Sequence, residues 1–148
     1  MSKTDTWENS LLLLLFNNTN VANVGDATGL RGSSTAGSLY VSLHTADPGE
    51  TGNQTTSEIS YTGYARQAVA RASGAGGWTV TANSVSPASA ITFGASTGGT
   101  GGTVTHFGVG TATSGAGVLL YKGTVTPNIA VSSGVTPQLT TSSTITED

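Results

Sequence analysis

Residues 38–50 read SLYVSLHTADPGE, and this stretch decides the class of fold. Hydrophobic and polar side chains alternate through its first half, with the period of a strand that buries one face. The set predicted to point inward is Leu39, Val41 and Leu43. The set predicted to face solvent or a neighbouring chain is Tyr40, Ser42 and His44. Residues 47–49 then predict a tight turn, because proline fixes φ at the second position and glycine accepts a positive φ at the third.

Strand-like segments continue to the end of the chain at roughly even spacing, separated by glycine, proline and asparagine. They are residues 61–64, 65–72, 78–82, 90–93, 103–109, 118–125, 129–131 and 138–145. About eight short strands punctuated in this way predict an all-β fold, an antiparallel β-sandwich or barrel. Between them, residues 94–102 contain five glycines in nine positions, which predicts a flexible loop.

Charged side chains are sparse. The 148 residues include 8 acidic and 5 basic side chains, or 9% of the chain, against about 25% in typical domains. This small number of charges is unusual for a monomer that is solvated on every side. We therefore expect the chain to be part of a larger assembly. The net charge is −3 and the basic residues are scattered, so nucleic acid is not an expected partner. Cysteine is absent, which excludes disulfides and thiolate chemistry.

The first segment predicts a short helix over residues 7–17, with Asp5 or Thr6 as its cap and Glu8 favoured by the helix dipole. Residues 11–16 are apolar without interruption. A helix that is apolar all round must be buried all round. It either plugs the open end of its own barrel or contacts another chain, and the sequence leaves both possibilities open. The run is far shorter than the roughly 18 residues that span a bilayer, so no membrane partner is expected.

Residues 17–37 are polar and rich in turn formers, which predicts a long extended or looping arm. Together with the helix, this arm is expected to serve docking or assembly. The sequence thus predicts two parts, an N-terminal helix and arm over residues 1–37 and a β-sandwich domain over residues 38–148.

Residues that could carry chemistry are few. His44 and Asp47 could join a serine in a triad, but no nucleophile motif accompanies them. The acidic pairs Asp47/Glu50 and Glu50/Glu58 lie on a turn and a loop without the ordered spacing of a calcium site. The aromatic side chains Tyr61, Tyr64 and Trp78 could stack on a sugar, but core packing and contacts between subunits explain them better. We expect no catalytic residue, no metal and no cofactor, and hence no enzyme.

Four runs of the chain resemble a known family. They are LYVSLHTADPGE at 39–50, EISYTGYARQAV at 58–69, TVTHFG at 103–108 and LLYKG at 119–123, and the opening WENSLL at 7–12 fits as well. This pattern resembles small tailed-phage virion proteins, often labelled "tail fibre protein". Members placed in virions resemble capsid decoration, or cement, proteins with a jelly-roll fold. The resemblance therefore implies a jelly-roll-like sandwich.

The function that the resemblance implies is mechanical. The chain is expected to bind the outer surface of the phage head, at the capsid surface of the virion, and to bridge neighbouring major capsid proteins. Its expected partners are the major capsid protein and other copies of itself, as a dimer or trimer. The alternative is a tail-fibre or receptor-binding domain that recognises host glycans. The residues expected at the interface are Trp7, Leu11, Leu12, Leu14, Leu15, Phe16, Tyr61 and Tyr64.

Overall fold

The computed structural model describes residues 2–148 as one helix followed by ten strands. The helix is α1 (Asp5–Asn17), and the first five strands are β1 (Ser38–His44), β2 (Ser60–Thr62), β3 (Gln67–Ala70), β4 (Trp78–Thr81) and β5 (Ser84–Pro87). The last five are β6 (Ile91–Thr92), β7 (Gly98–Gly110), β8 (Leu119–Val131), β9 (Gln138–Leu139) and β10 (Ile145–Thr146). The pairings of β1 with β7, β7 with β8, and β4 with β5 are antiparallel. The predicted all-β class with antiparallel pairing and one short helix is confirmed.

The chain forms two compact units, each built from separate segments of sequence. The first unit comprises residues 1–38, 69–90 and 140–148, and the second comprises residues 39–68 and 91–139. The division of the chain at residue 37 stays a prediction.

In the second unit, β7 is the central strand and pairs with β2, β1 and β8. Val41 lies opposite Val109 and Leu43 opposite Phe107. Directly opposite residues point to the same face, so these four side chains share one apolar layer. The predicted inward set of β1 is confirmed, because Leu39, Val41 and Leu43 are each at most 4% exposed.

The other face of β1 departs from the prediction. Ser42 and His44 were expected to face solvent or a neighbour, but both are 0% exposed inside the unit. A loop of the same chain covers them, since the His44 side chain contacts the backbone of Thr56. Tyr40 alone of this set stays half-buried.

The glycine-rich stretch also departs from the prediction at its end. Residues 98–102 were expected to be loop, but they form the start of β7 and pair with β2, Ser60 opposite Gly101 and Thr62 opposite Gly98. Further along, the register between β7 and β8 shifts between Val104 and His106, where the extra residues lie in β8, since Val104 is opposite Ile129 and His106 is opposite Thr124.

In the first unit, α1 packs on β4 and β5. Its buried side chains are Glu8, Leu12 and Phe16, spaced four apart and therefore on one face of the helix. The Phe16 ring meets the edge of Trp78, with ring centroids 4.8 Å apart. The N-cap is Thr4 and makes no side-chain cap hydrogen bond, so the predicted caps Asp5 and Thr6 are wrong. The helix among residues 2–148 lacks the length and hydropathy that a membrane crossing requires.

Arg71 holds the C-terminal end of α1. Its Nη2 donates to the carbonyl oxygen of Leu14 at 2.8 Å and its Nε to that of Leu15 at 2.6 Å. The last carbonyls of a helix have no partner within the helix, and a cation there is also favoured by the dipole. One guanidinium supplies both the charge and the missing donors.

Residues 17–37 were predicted to be either extended or looping, and they form a loop. Val21 and Leu30 pair as an isolated antiparallel bridge. Below that bridge, the Asn18 amide bonds both backbone groups of Ser33, at 2.7 and 2.8 Å. The loop is therefore closed at its base by asparagine side chains, which explains the Asn-rich start of the segment.

Candidate functional site

The residues predicted at an interface differ in burial. Leu12, Phe16 and Tyr61 are at most 6% exposed and belong to the cores of their units. The remaining five are half-buried, and they are Trp7, Leu11, Leu14, Leu15 and Tyr64. Only these five offer side-chain surface to a partner, and their role in docking stays a prediction.

The motif at residues 58–67 forms a compact polar cluster in the second unit. The Arg66 guanidinium donates two parallel hydrogen bonds to the Glu58 carboxylate. They run from Nε to Oε1 and from Nη2 to Oε2, and each is 2.7 Å long. The Tyr64 hydroxyl donates to Glu58 Oε1 at 2.8 Å and accepts the Leu43 backbone N–H at 3.1 Å. Burial raises the pKa of the Tyr64 phenol, and the bond to Glu58 raises the pKa of Arg66. We call Glu58, Tyr64 and Arg66 the Arg66 cluster.

The Arg66 cluster organises the loop that joins β7 to β8. Arg66 Nη1 donates to the carbonyl oxygen of Ala112 at 2.9 Å, and Nη2 donates to that of Gly115 at 2.8 Å. Gln54, which is 0% exposed, accepts the Ala112 N–H at 2.9 Å. Two side chains thus supply hydrogen bonds that the β7–β8 loop does not make for itself. The motif that carries the family resemblance is a structural clamp.

His44 sits in a closed polar pocket on the second face of β1. Its Nδ1 lies 2.8 Å from the Thr56 carbonyl oxygen and therefore carries the proton, which leaves Nε2 to accept the Ser42 hydroxyl at 2.8 Å. Gly108 makes room for this pair, since a Cβ there would lie 2.8 Å from both His44 Nε2 and Ser42 Oγ. Both ring nitrogens are therefore occupied by neighbours within the same unit.

Burial lowers the pKa of His44 below its ordinary value of 6.5. The unfolded chain therefore takes up a second proton on the His44 ring more readily than the folded chain does. The stability of the folded chain accordingly falls as the pH drops below about 6.5, and it levels off below the pKa that His44 has in the folded chain. We expect the urea midpoint to be lower at about pH 5.5 than at about pH 7.5. His44→Asn keeps a donor near the Nδ1 position without titrating and should flatten this dependence, whereas His106→Asn should retain it. An unchanged pH dependence in His44→Asn would contradict the assignment.

Asp47 and Glu50 converge on a lysine. Lys122 Nζ lies 3.0 Å from Asp47 Oδ1 and 3.1 Å from Glu50 Oε1. The Gly49 N–H donates to Asp47 Oδ1 at 2.8 Å, and that bond, followed by Lys122, lowers the pKa of Asp47. Bonds to the two carboxylates raise the pKa of Lys122. The predicted positive φ of Gly49 is present, at 74°, but the backbone turn lies just after residues 47–49, where the Gly52 N–H donates to the Gly49 carbonyl oxygen at 3.4 Å. Both acids pair with Lys122.

The side chains considered from the sequence for chemistry are engaged with other groups of their own units. His44 bonds Thr56 and Ser42, and Glu58 is held by Arg66. Among residues 2–148, no three histidine or acidic side chains converge as metal ligands would. Trp78 and Tyr61 are buried, at 2% and 6% exposure, so neither can stack on a sugar.

Sequence reasoning missed three residues that organise the fold. Gln54 lies in a polar loop, whereas Arg66 and Arg71 were noted only as parts of the motif and of the predicted strand over residues 65–72. The available signal was a long polar side chain that follows turn residues. The backbone groups that these side chains bind lie 46 to 58 residues away in sequence. Such distances hide a hydrogen bond from any local pattern.

The comparisons with known proteins bear on the whole chain. The family model described as podophage GP4 fiber I protein gp80 matches residues 2–146. No curated protein matches. The match takes in the helix, every strand and the Arg66 cluster. The chain therefore belongs to the podophage GP4 fiber I protein gp80 family and is a bacteriophage virion structural protein.

Proposed function

We propose that this chain is a non-catalytic structural subunit of a virion fibre. The observation that carries the proposal is the match to a fibre protein family, which spans residues 2–146. The side chains support it, because the groups that could do chemistry are used to hold loops. Arg66 and Glu58 fix the β7–β8 loop, and His44 fixes the loop at Thr56.

The second candidate is a decoration protein on the head, bound to the major capsid protein. Residues 39–50 and 58–69 favour it, because these runs resemble the capsid decoration type. The low content of charge, 9% of residues, also suits a surface that is covered in an assembly. In either role we propose that the partners are virion proteins and further copies of the chain.

Position and copy number in the particle distinguish the two candidates. We expect gold-labelled antibody against the purified chain to mark the tail, and quantitative mass spectrometry to find a few copies to a few dozen per virion. Particles assembled without the chain are the control for label specificity. Label spread over the head, with hundreds of copies, would overturn the fibre proposal and support the decoration role.

A further inference from the structure

The β7–β8 loop, residues 111–118, is held in place although its sequence is that of a flexible linker. It reads TATSGAGV, and a chain of small residues with glycines is mobile unless something restrains it. None of its residues is buried, so its side chains add little to the core. Its ends are tied together, because the Thr111 N–H donates to the Val118 carbonyl oxygen at 3.1 Å and the Val118 N–H donates to Thr111 Oγ1 at 3.0 Å.

Buried residues of the same unit fix the conformation of this loop. Arg66 donates to the carbonyl oxygens of Ala112 and Gly115. Gln54 accepts the Ala112 N–H with its side chain and donates its own backbone N–H to the Ala116 carbonyl oxygen at 2.9 Å. Water can satisfy the carbonyl groups of a surface loop, and a buried ion pair adds little net stability over apolar side chains of the same volume. What these bonds provide is therefore one defined shape of the loop.

An apolar segment begins at the end of the loop, where residues 118–121 read VLLY. Val118 is 59% exposed, the highest exposed fraction of a large hydrophobic side chain among residues 2–148. Leu119 and Leu120 are half-buried and line a cleft of about 270 Å³ together with residues 121 and 122 and with Gly49, Glu50 and Gly52. An exposed apolar side chain is thus followed directly by the wall of a cleft. We call residues 111–121 and this cleft the Val118 surface.

We propose that the chain docks on a neighbouring virion protein through the Val118 surface. The centre of a protein–protein interface is apolar and its rim is polar. Val118 and Leu120 supply such a centre, and the ion pair of Lys122 with Glu50, 3.1 Å long, supplies part of a rim. A loop that is ordered before it binds loses less conformational entropy on docking, which accounts for the bonds that fix it. The inference rests on the proposed function, because it takes the partner from the virion.

The charges at the Val118 surface restrict the chemistry of the partner. Residues 111–121 contain no charged side chain, so the partner is uncharged and apolar where it covers Val118. Beside the cleft, Lys122 pairs with both Asp47 and Glu50, which leaves one carboxylate in excess. A polyanion such as nucleic acid therefore finds no unpaired cation there, and the partner is neutral or weakly basic opposite this group.

A matched pair of valine variants tests the Val118 surface in the particle. Phage that lack the gene for the chain are grown in cells that supply a variant, and its copies per virion are counted by quantitative mass spectrometry. We expect Val118→Asp to lower the copies at least tenfold, because a carboxylate is costly to bury in an apolar contact. Val24→Asp, at an exposed valine of the first unit, should leave them unchanged. Val118→Ser removes the apolar contact without adding charge and should give an intermediate loss. Urea unfolding of the purified variants checks that each keeps native stability.

Four results would overturn the proposal. Native copy numbers in Val118→Asp particles would show that the surface is not needed, and an equal loss in Val24→Asp would show that the effect is not specific. A native oligomer of the purified chain that Val118→Asp dissociates in sedimentation would assign the surface to a second copy. Native copy numbers with a loss of adsorption to host cells would assign it to a host molecule. The gold label reports the position of the native chain, so a failure of the Val118 surface leaves the fibre proposal intact.

Discussion

Replacing Arg66 by methionine is expected to lower the free energy of unfolding of the second unit by about 3 kcal/mol, the lower end of the range for breaking a buried ion pair. The Arg66 side chain is 3% exposed and that of Glu58 is 15% exposed. Removing the guanidinium leaves a carboxylate that solvent reaches poorly. It also removes the donors to the carbonyl oxygens of Ala112 and Gly115. The β7–β8 loop should then lose protection in hydrogen exchange.

The controls separate this pair from a general effect of charge removal. Arg31→Met removes an exposed arginine and should change stability by at most about 0.5 kcal/mol. Arg66→Lys keeps the charge but loses the fork, so it should fall between the native chain and Arg66→Met. A double-mutant cycle with Glu58→Gln should show coupling between the two sites. Additive effects of Glu58→Gln and Arg66→Met would contradict the clamp.

Leu12→Ala is expected to destabilise the first unit by about 3 kcal/mol, because Leu12 is 0% exposed and its removal leaves a cavity between α1 and the strands below it. Leu14→Ala is the matched control. It makes the same chemical change in the same helix at a half-buried position, about 200° around the helix from Leu12, and should cost clearly less.

The distribution of aromatic residues lets each unit be followed separately. Both tryptophans, Trp7 and Trp78, lie in the first unit, and all four tyrosines lie in the second. Tryptophan fluorescence in urea therefore reports Leu12→Ala directly, whereas near-ultraviolet dichroism of tyrosine reports Arg66→Met. Equal destabilisation by Leu12→Ala and Leu14→Ala would contradict the assigned helix face. A loss of binding to virion proteins in Leu14→Ala, with native stability, would support the docking role of the half-buried leucines.

The helix illustrates how far a local pattern reaches. The uninterrupted leucines predict a helix that is buried all round, but within the first unit only one face of it is buried. A run that is apolar on every side contains no information about which side meets the core. The positions of β4 and β5 select Leu12 and Phe16 as the inward face. Arg71, which closes the helix end, lies 56 residues from the Leu15 carbonyl that it binds.

The sequence by itself determined what depends on neighbouring residues: the antiparallel all-β class, the inward face of β1, the positive φ of Gly49 and the scarcity of charge. Alternation and turn chemistry are local, so they can be recognised without the rest of the chain. The tertiary structure alone decided whether the second face of a strand is covered and whether glycines at 98–102 join a sheet. Ser42 and His44 are buried because a loop from residues 52–57 folds over them, and the glycines form a strand because β2 lies beside them. Both outcomes depend on long-range contacts, whose free energy no local stretch of sequence expresses.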